Sequence, residues 1–199
     1  MNFPDQIFST AVYLLGYLGA AVWLGWALRG IPWRRLYDNA FTHVFFGACV
    51  VALVLWDMQA AVPPTLHFHL LGVTVLTLMF GWQYAAVGVT LILFGTTLNG
   101  QGSWLSFGIN LLCMGALPVT LTWGLLRWAQ RWLPHNFFIY VYINGFLAAG
   151  ITILATSGTG AGLLWLTDVH SFDWLGYHYL PFFPLMFFSQ AVMNGMVMT

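Results

Sequence analysis

The sequence predicts an all-α, polytopic transmembrane helical bundle of about seven spans with its N-terminus outside. Three observations carry that reading. Hydrophobic residues make up 60% of the 199 positions and charged residues 5%, against roughly 25% charge in a soluble domain. The apolar residues gather into seven runs, about 10–28, 41–57, 65–80, 82–98, 105–127, 137–160 and 178–199. Finally, that count puts every basic residue on one side. Backbone groups in hydrocarbon must bond internally, so the runs should be helices. Residues 1–199 read as a single integral membrane domain.

Each run has its own justification. The opening MNFPDQIFSTAVYLLGYLGAAVWLGWALRG lacks a basic n-region, and its apolar stretch of about 19 residues meets Arg29 directly, which predicts a retained span instead of a cleaved signal peptide. The second run ends at Asp57. Only Gly81, Trp82 and Gln83 separate the third from the fourth, and a tight turn, a kinked pair or a re-entrant pair all fit. The fifth follows LNGQG, 98–102, a predicted outer loop needing positive backbone angles at Gly100 or Gly102. The sixth contains ATSGTGAG, 155–162, which predicts a close helix contact or a broken outer helix end. The seventh closes the chain.

The charges test the count independently. Arg29, Arg34 and Arg35 fall in the first connection, and Arg127 and Arg131 mark the fifth. Alternate connections of a serpentine chain share a face, so with seven spans all five arginines lie together, and the positive-inside rule makes that face cytoplasmic. Asp5, Asp57, Asp168 and Asp173 then lie outside and Asp38 inside. The chain has neither Lys nor Glu, which excludes a nucleic-acid surface and a phosphate-binding loop with its lysine. There is no HExxH, no nucleophile elbow and no pair of carboxylates in one span, so an enzyme is disfavoured. Cys49 and Cys113 sit in apolar runs as small buried hydrophobes, not as a disulfide. Trp26, Trp33, Trp56, Trp82, Trp104, Trp128, Trp132 and Trp174 fall near span ends, where aromatic belts are expected.

Polar residues in such a chain attract attention. His43 and His135 map to the inner side, and His67, His69, His170 and His178 to the outer side. Neutral imidazole ligates nickel, cobalt, copper or zinc. His67 and His69 are two apart, so in a regular helix only one enters a given site; His69, deeper in its run, is the first choice. The alternative is that these histidines bond to backbone or headgroups. Asn110, Asn144, Gln190 and Asn194 lie within spans and should face the bundle interior, as structural glue or as a cavity lining.

The run LILFGTTLNGQGSWLSFGINLLCMG resembles the central signature of the CbiM/NikM family, the substrate-binding membrane components of energy-coupling-factor systems for cobalt and nickel. The Leu-Gly-Ala-Asn-like opening reads Phe107-Gly108-Ile109-Asn110, and the following Asn-Met-Gly reads Cys113-Met114-Gly115. His69 in HLLG matches the family's upstream histidine, and Gln190 in FFSQAVMNG stands where an acid would be. The likeness covers most of residues 40–199, with 10–28 as an extra N-terminal span.

The resemblance implies a metal chelated by the free N-terminal amine, adjacent backbone, a histidine at position two and the internal histidine. Position two here is Asn2, so one imidazole is missing, and His67, His170 or His178 would have to replace it. The implied function is a substrate-capture component for divalent transition-metal uptake in the bacterial inner membrane. Cobalt or nickel would be substrate, with no covalently bound cofactor. The implied partners are a transmembrane coupling protein and cytoplasmic ATPases, or another membrane complex, in the lipid bilayer. The alternative, favoured by Asn2, Cys113 and Gln190, is an accessory or assembly subunit that keeps the fold without binding metal.

Overall fold

A computed structural model describes residues 3–58, 60–62, 66–68, 70–134 and 136–199. Helix α1 (Thr10–Arg29) is followed by a single 3-10 turn (Trp33–Tyr37) and α2 (Asn39–Asp57). A small antiparallel hairpin, β1 (Ala60–Val62) with β2 (Leu66–Phe68), leads to α3 (Val73–Phe80) and α4 (Trp82–Leu98). Three long helical stretches complete the chain: α5 (Phe107–Trp132), α6 (Phe137–Leu166) and α7 (Phe172–Val197). Five of these, α1, α2, α5, α6 and α7, are long and apolar enough to cross a membrane, and α4 is a shorter apolar helix.

Helix starts are written locally. The Asp38 carboxylate accepts from Ala40 N–H at 2.9 Å, the Asn136 amide oxygen accepts from Phe138 N–H at 3.0 Å, and Ser171 Oγ accepts from Trp174 N–H at 3.3 Å. Each satisfies a backbone donor that the first turn leaves open. Within α5, Pro118 cannot donate to the carbonyl four residues back. The turns just before it, Leu112–Ala116, open into a π-helical segment, a recognised way to absorb such a break. A second π-helical segment, Tyr140–Leu147, opens α6.

The packing fixes directions. A Cβ on Gly16 would meet Ile109, and one on Gly19 would meet Leu112, so α1 and α5 run parallel with ascending numbers paired. Arg29 at the end of α1 and Arg127 and Arg131 at the end of α5 therefore share one face, as the serpentine count requires. α6 and α7 run antiparallel, since Gly145 approaches Met198 while Gly150 approaches Phe187. α5 lies at the centre, with 61% of its apolar window buried against 22% for α2.

One sequence-based boundary is corrected. The expected helical span 65–80 is the β2 strand followed by an eight-residue helix, Val73–Phe80. At 1.5 Å per residue such a helix is roughly 12 Å long, well short of a hydrocarbon core. It pairs with α4 as a tight hairpin. Trp56 Nε1 donates to Leu71 O at 2.8 Å near one end, and Phe41 packs on both Phe80 and Tyr84 at the other. Gly81, at φ +84°, makes the reversal. ATSGTGAG does not break its helix; its Thr156, Ser157, Gly160 and Ala161 are buried, while a Cβ on Gly158 or Gly162 would meet nothing within 4 Å. Gly100 has φ +78° as expected of the outer loop. Trp56 is no interfacial anchor, because its indole is buried.

Candidate functional site

The end of the bundle that carries the N-terminus is organised by the N-terminal segment. Phe3 is buried, its N–H donates to Asn110 Oδ1 at 2.9 Å, and Asn110 Nδ2 donates to Phe3 O at 3.3 Å. Pro4 O accepts from Ser106 Oγ at 3.0 Å. The Asp5 carboxylate accepts from Ser103 Oγ, and that same hydroxyl oxygen accepts from Ser106 N–H at 3.1 Å. Further along, Phe8 N–H donates to Tyr13 OH at 3.1 Å, and Phe3, Phe8 and Tyr13 meet edge to face. Residues 3–8 thus lie against the opening of α5, held by three side chains from Ser103, Ser106 and Asn110. Ser103, Ser106 and Asp5 were not singled out from sequence. The Ser-x-x-Ser spacing just before a helix is visible, but its pairing with the N-terminal segment, about a hundred residues away, is not.

Beside this clamp lies a small pocket of about 210 Å³, lined by Phe3, Pro4, Asp5, Gly100, Gln101, Gly102 and Ser103. Gly102 is needed there because a Cβ would meet Thr97 Oγ1 at 2.5 Å. Asn99, at the end of α4, donates from Nδ2 to Asp57 Oδ2 at 3.3 Å, while Asp57 Oδ1 is buried without a hydrogen-bond partner.

The histidines are distributed as follows. His67 lies on β2 opposite Ala61. His69 lies outside the described residues, as do Asn2 and His135. His170 and His178 both stack on Trp174, with ring centroids 4.0 and 4.8 Å away and planes within 10° and 13°. His178 Nδ1 is 3.1 Å from Trp174 O. A metal shared by two imidazoles lies in both ring planes, and two planes stacked nearly parallel to one indole do not converge on a common ion. Burial lowers the pKa of His170 from its ordinary value by disfavouring the imidazolium. Among the described residues there is no group of three or more His, Cys, Asp or Glu placed to hold a metal ion.

The four interior amides are all buried. Asn110 belongs to the N-terminal clamp. Asn194 Oδ1 accepts from Val75 N–H at 3.2 Å in the first turn of α3, and its Nδ2 donates to Gln190 O at 2.7 Å and Gln190 Oε1 at 3.2 Å. Asn144 Oδ1, in the π-helical part of α6, has no hydrogen-bond partner. Hydroxyls link α5 to α3 and α6: Thr122 Oγ1 is 3.3 Å from Thr74 Oγ1 and 3.4 Å from Thr152 Oγ1. Cys49 and Cys113 are free and buried.

The model of the cobalt uptake substrate-specific transmembrane region, CbiM, matches residues 2–199. The chain belongs to this family. It is a multi-pass membrane component of metal uptake, part of a membrane transport complex, and not an enzyme; metal is its cargo. Two solved structures share the CbiM fold seen here. One, described as a truncated transition metal transporter, superposes with TM-score 0.82 at 18% identity, over 99% of this chain and 96% of that one. The other, described as a transition metal transporter, gives 0.83 at 18% identity, over 99% and 90%. No curated protein matches the chain. The CbiM match reaches residue 2, so it includes the N-terminal segment that Asn110 clamps, as well as the 107–115 run that suggested the family.

Proposed function

We propose that this chain is the substrate-capture component of a divalent transition-metal uptake system of the cobalt and nickel type, working in the bacterial inner membrane as one integral membrane domain. The observation that carries the reading is the family match over residues 2–199. The docking of residues 3–8 onto Ser103, Ser106 and Asn110 supports it, because a capture site needs ligands held before the ion arrives. The cation binds at the outer end with His69 as the principal imidazole. His67, on the neighbouring strand, is the first candidate to replace the imidazole missing at Asn2. His170 and His178 rank behind it, since each is already engaged by Trp174. Nitrogen ligands of this kind favour most first-row divalent ions, so selectivity rests on geometry and supply.

Capture needs an energy source. A transmembrane coupling protein and cytoplasmic ATPases of the energy-coupling-factor type supply it, and the captured ion is released inward against them.

The test is metal binding to purified protein with an untagged N-terminus, comparing cobalt, nickel, copper and zinc, in wild type and His69→Ala. One ion bound stoichiometrically by wild type and lost in the variant is the expected result. Binding weaker than about millimolar for all four ions, a free energy of only about 4 kcal/mol, would overturn the capture reading in favour of an accessory subunit.

A further inference from the structure

The inner end carries a cationic groove that metal capture leaves unused. Arg127, Trp128, Gln130, Arg131 and Trp132, on the last turns of α5, line an open groove of about 530 Å³. The two arginines are four residues apart, as are the two tryptophans, so the members of each pair stand side by side on the helix surface. All five residues are exposed, while Leu126 and Ala129 among them are buried against the bundle. The Arg131 guanidinium lies 5.6 Å from the Trp132 ring centre, a cation–π contact that steadies it over the indole.

Among the described residues, four of the five acids lie away from this pair and the fifth, Asp38, caps another helix. Asp5 and Asp57 are bonded to Ser103 and Asn99 at the opposite end, Asp168 and Asp173 lie in and next to the outer α6–α7 connection, and Asp38 caps α2. Tryptophans at a helix end sit at headgroup depth, and arginine side chains extend toward the same layer. The guanidinium fork matches two oxygens of one phosphate.

We propose that this groove binds the phosphodiester headgroup of an anionic phospholipid of the inner leaflet, with Arg127 and Arg131 on the phosphate and Trp128 and Trp132 against the glycerol and upper acyl region. Charge complementarity selects an anionic over a zwitterionic lipid, because two guanidinium groups without a neighbouring carboxylate gain most from a headgroup of net negative charge.

The experiment counts lipids retained on the detergent-purified full chain by native mass spectrometry during titration with phosphatidylglycerol or phosphatidylcholine. One phosphatidylglycerol should be held about tenfold more tightly than phosphatidylcholine. R127Q/R131Q should bring the two lipids level while leaving thermal unfolding in phosphatidylcholine micelles unchanged. R34Q, on the 3-10 turn at the same face, should keep the preference. Equal binding of both lipids by wild type, or a preference that survives in R127Q/R131Q, would overturn the proposal. Loss of the preference in R34Q as well would also overturn it, because the effect would then be diffuse charge and no groove. So would a double variant that keeps its lipid preference but loses metal uptake in cells, which would assign the patch to an acidic protein partner.

Discussion

Asn110 holds Phe3 by both ends of its backbone, accepting from the N–H at 2.9 Å and donating to the carbonyl at 3.3 Å. One buried side chain on the central helix thereby sets the position of a segment 107 residues earlier. Asn110→Asp keeps the acceptor and loses the donor, and Asn110→Leu loses both. The Leu variant leaves the buried Phe3 N–H and carbonyl unpaired, which costs about 1–3 kcal/mol. The expected outcome is a lower unfolding midpoint for both variants in detergent and weaker metal binding. Wild-type metal affinity in the Leu variant would separate the clamp from capture.

The α1–α5 contact is tight enough to have no tolerance for a methyl group. A Cβ on Gly108 would meet Tyr17 N at 2.5 Å and Gly16 C at 2.7 Å, both backbone, so only a shift of a whole helix could make room. Gly108→Ala should destabilise by about 1–3 kcal/mol, the range for overpacking. Gly158→Ala, where nothing lies within 4 Å, should be neutral or stabilising by up to about 1 kcal/mol from restricted backbone freedom. Thermal unfolding of the two variants side by side is the check, and equal effects would contradict the packing described.

Six of the seven apolar runs and the common face of the arginines were legible because both depend on hydrocarbon thickness and charge, which act on the chain locally. Helices at 10–29 and 39–57 follow from run length, and the common face of Arg29 and Arg131 follows from counting. The pairing of Ala60–Val62 with Leu66–Phe68 was not legible, because Leu, His and Phe in β2 fit an apolar helix as well as a strand of three residues. Its neighbour α3 is short because the chain turns at Gly81, a position that sequence alone left open among three geometries. At the candidate site, Asn110 was visible as an amide in an apolar run. Its partner was not, since the bond joins two segments that nothing in their spacing relates. The stacking of His170 and His178 on Trp174 was hidden for a different reason: a histidine four residues before an indole and another four after it look like free ligands until the start of α7 is placed.

Thr122 joins α3 and α6 through hydroxyls on both neighbours, 3.3 Å from Thr74 Oγ1 and 3.4 Å from Thr152 Oγ1, and is fully buried. Valine has nearly the same shape but no hydroxyl. Thr122→Val should lower stability by about 0.5–2 kcal/mol, in the range for interhelical hydrogen bonds in membranes. Since the ladder holds α3 in place, the variant should also speed hydrogen exchange in Val73–Phe80 more than in α1. Exchange that rises equally in both helices would argue against a local role for the ladder.

His170 gives the outer end a pH dependence whose sign follows from its burial. The native site disfavours the imidazolium, so the folded pKa lies below the ordinary value of 6.5. Above that value both folded and unfolded chains hold a neutral ring, and His170 contributes no pH dependence. As pH falls below it, the unfolded chain takes up the proton first, so stability declines with falling pH until the folded pKa is also passed. The groups facing this ring include Trp174, stacked on it at 4.0 Å, and next along the stack His178, 4.8 Å from the indole. His178 is exposed. His170→Gln should therefore flatten the fall in unfolding midpoint between pH 7.5 and pH 5, roughly the interval over which an imidazole titrates. An undiminished slope in His170→Gln would move the acid sensitivity to another group.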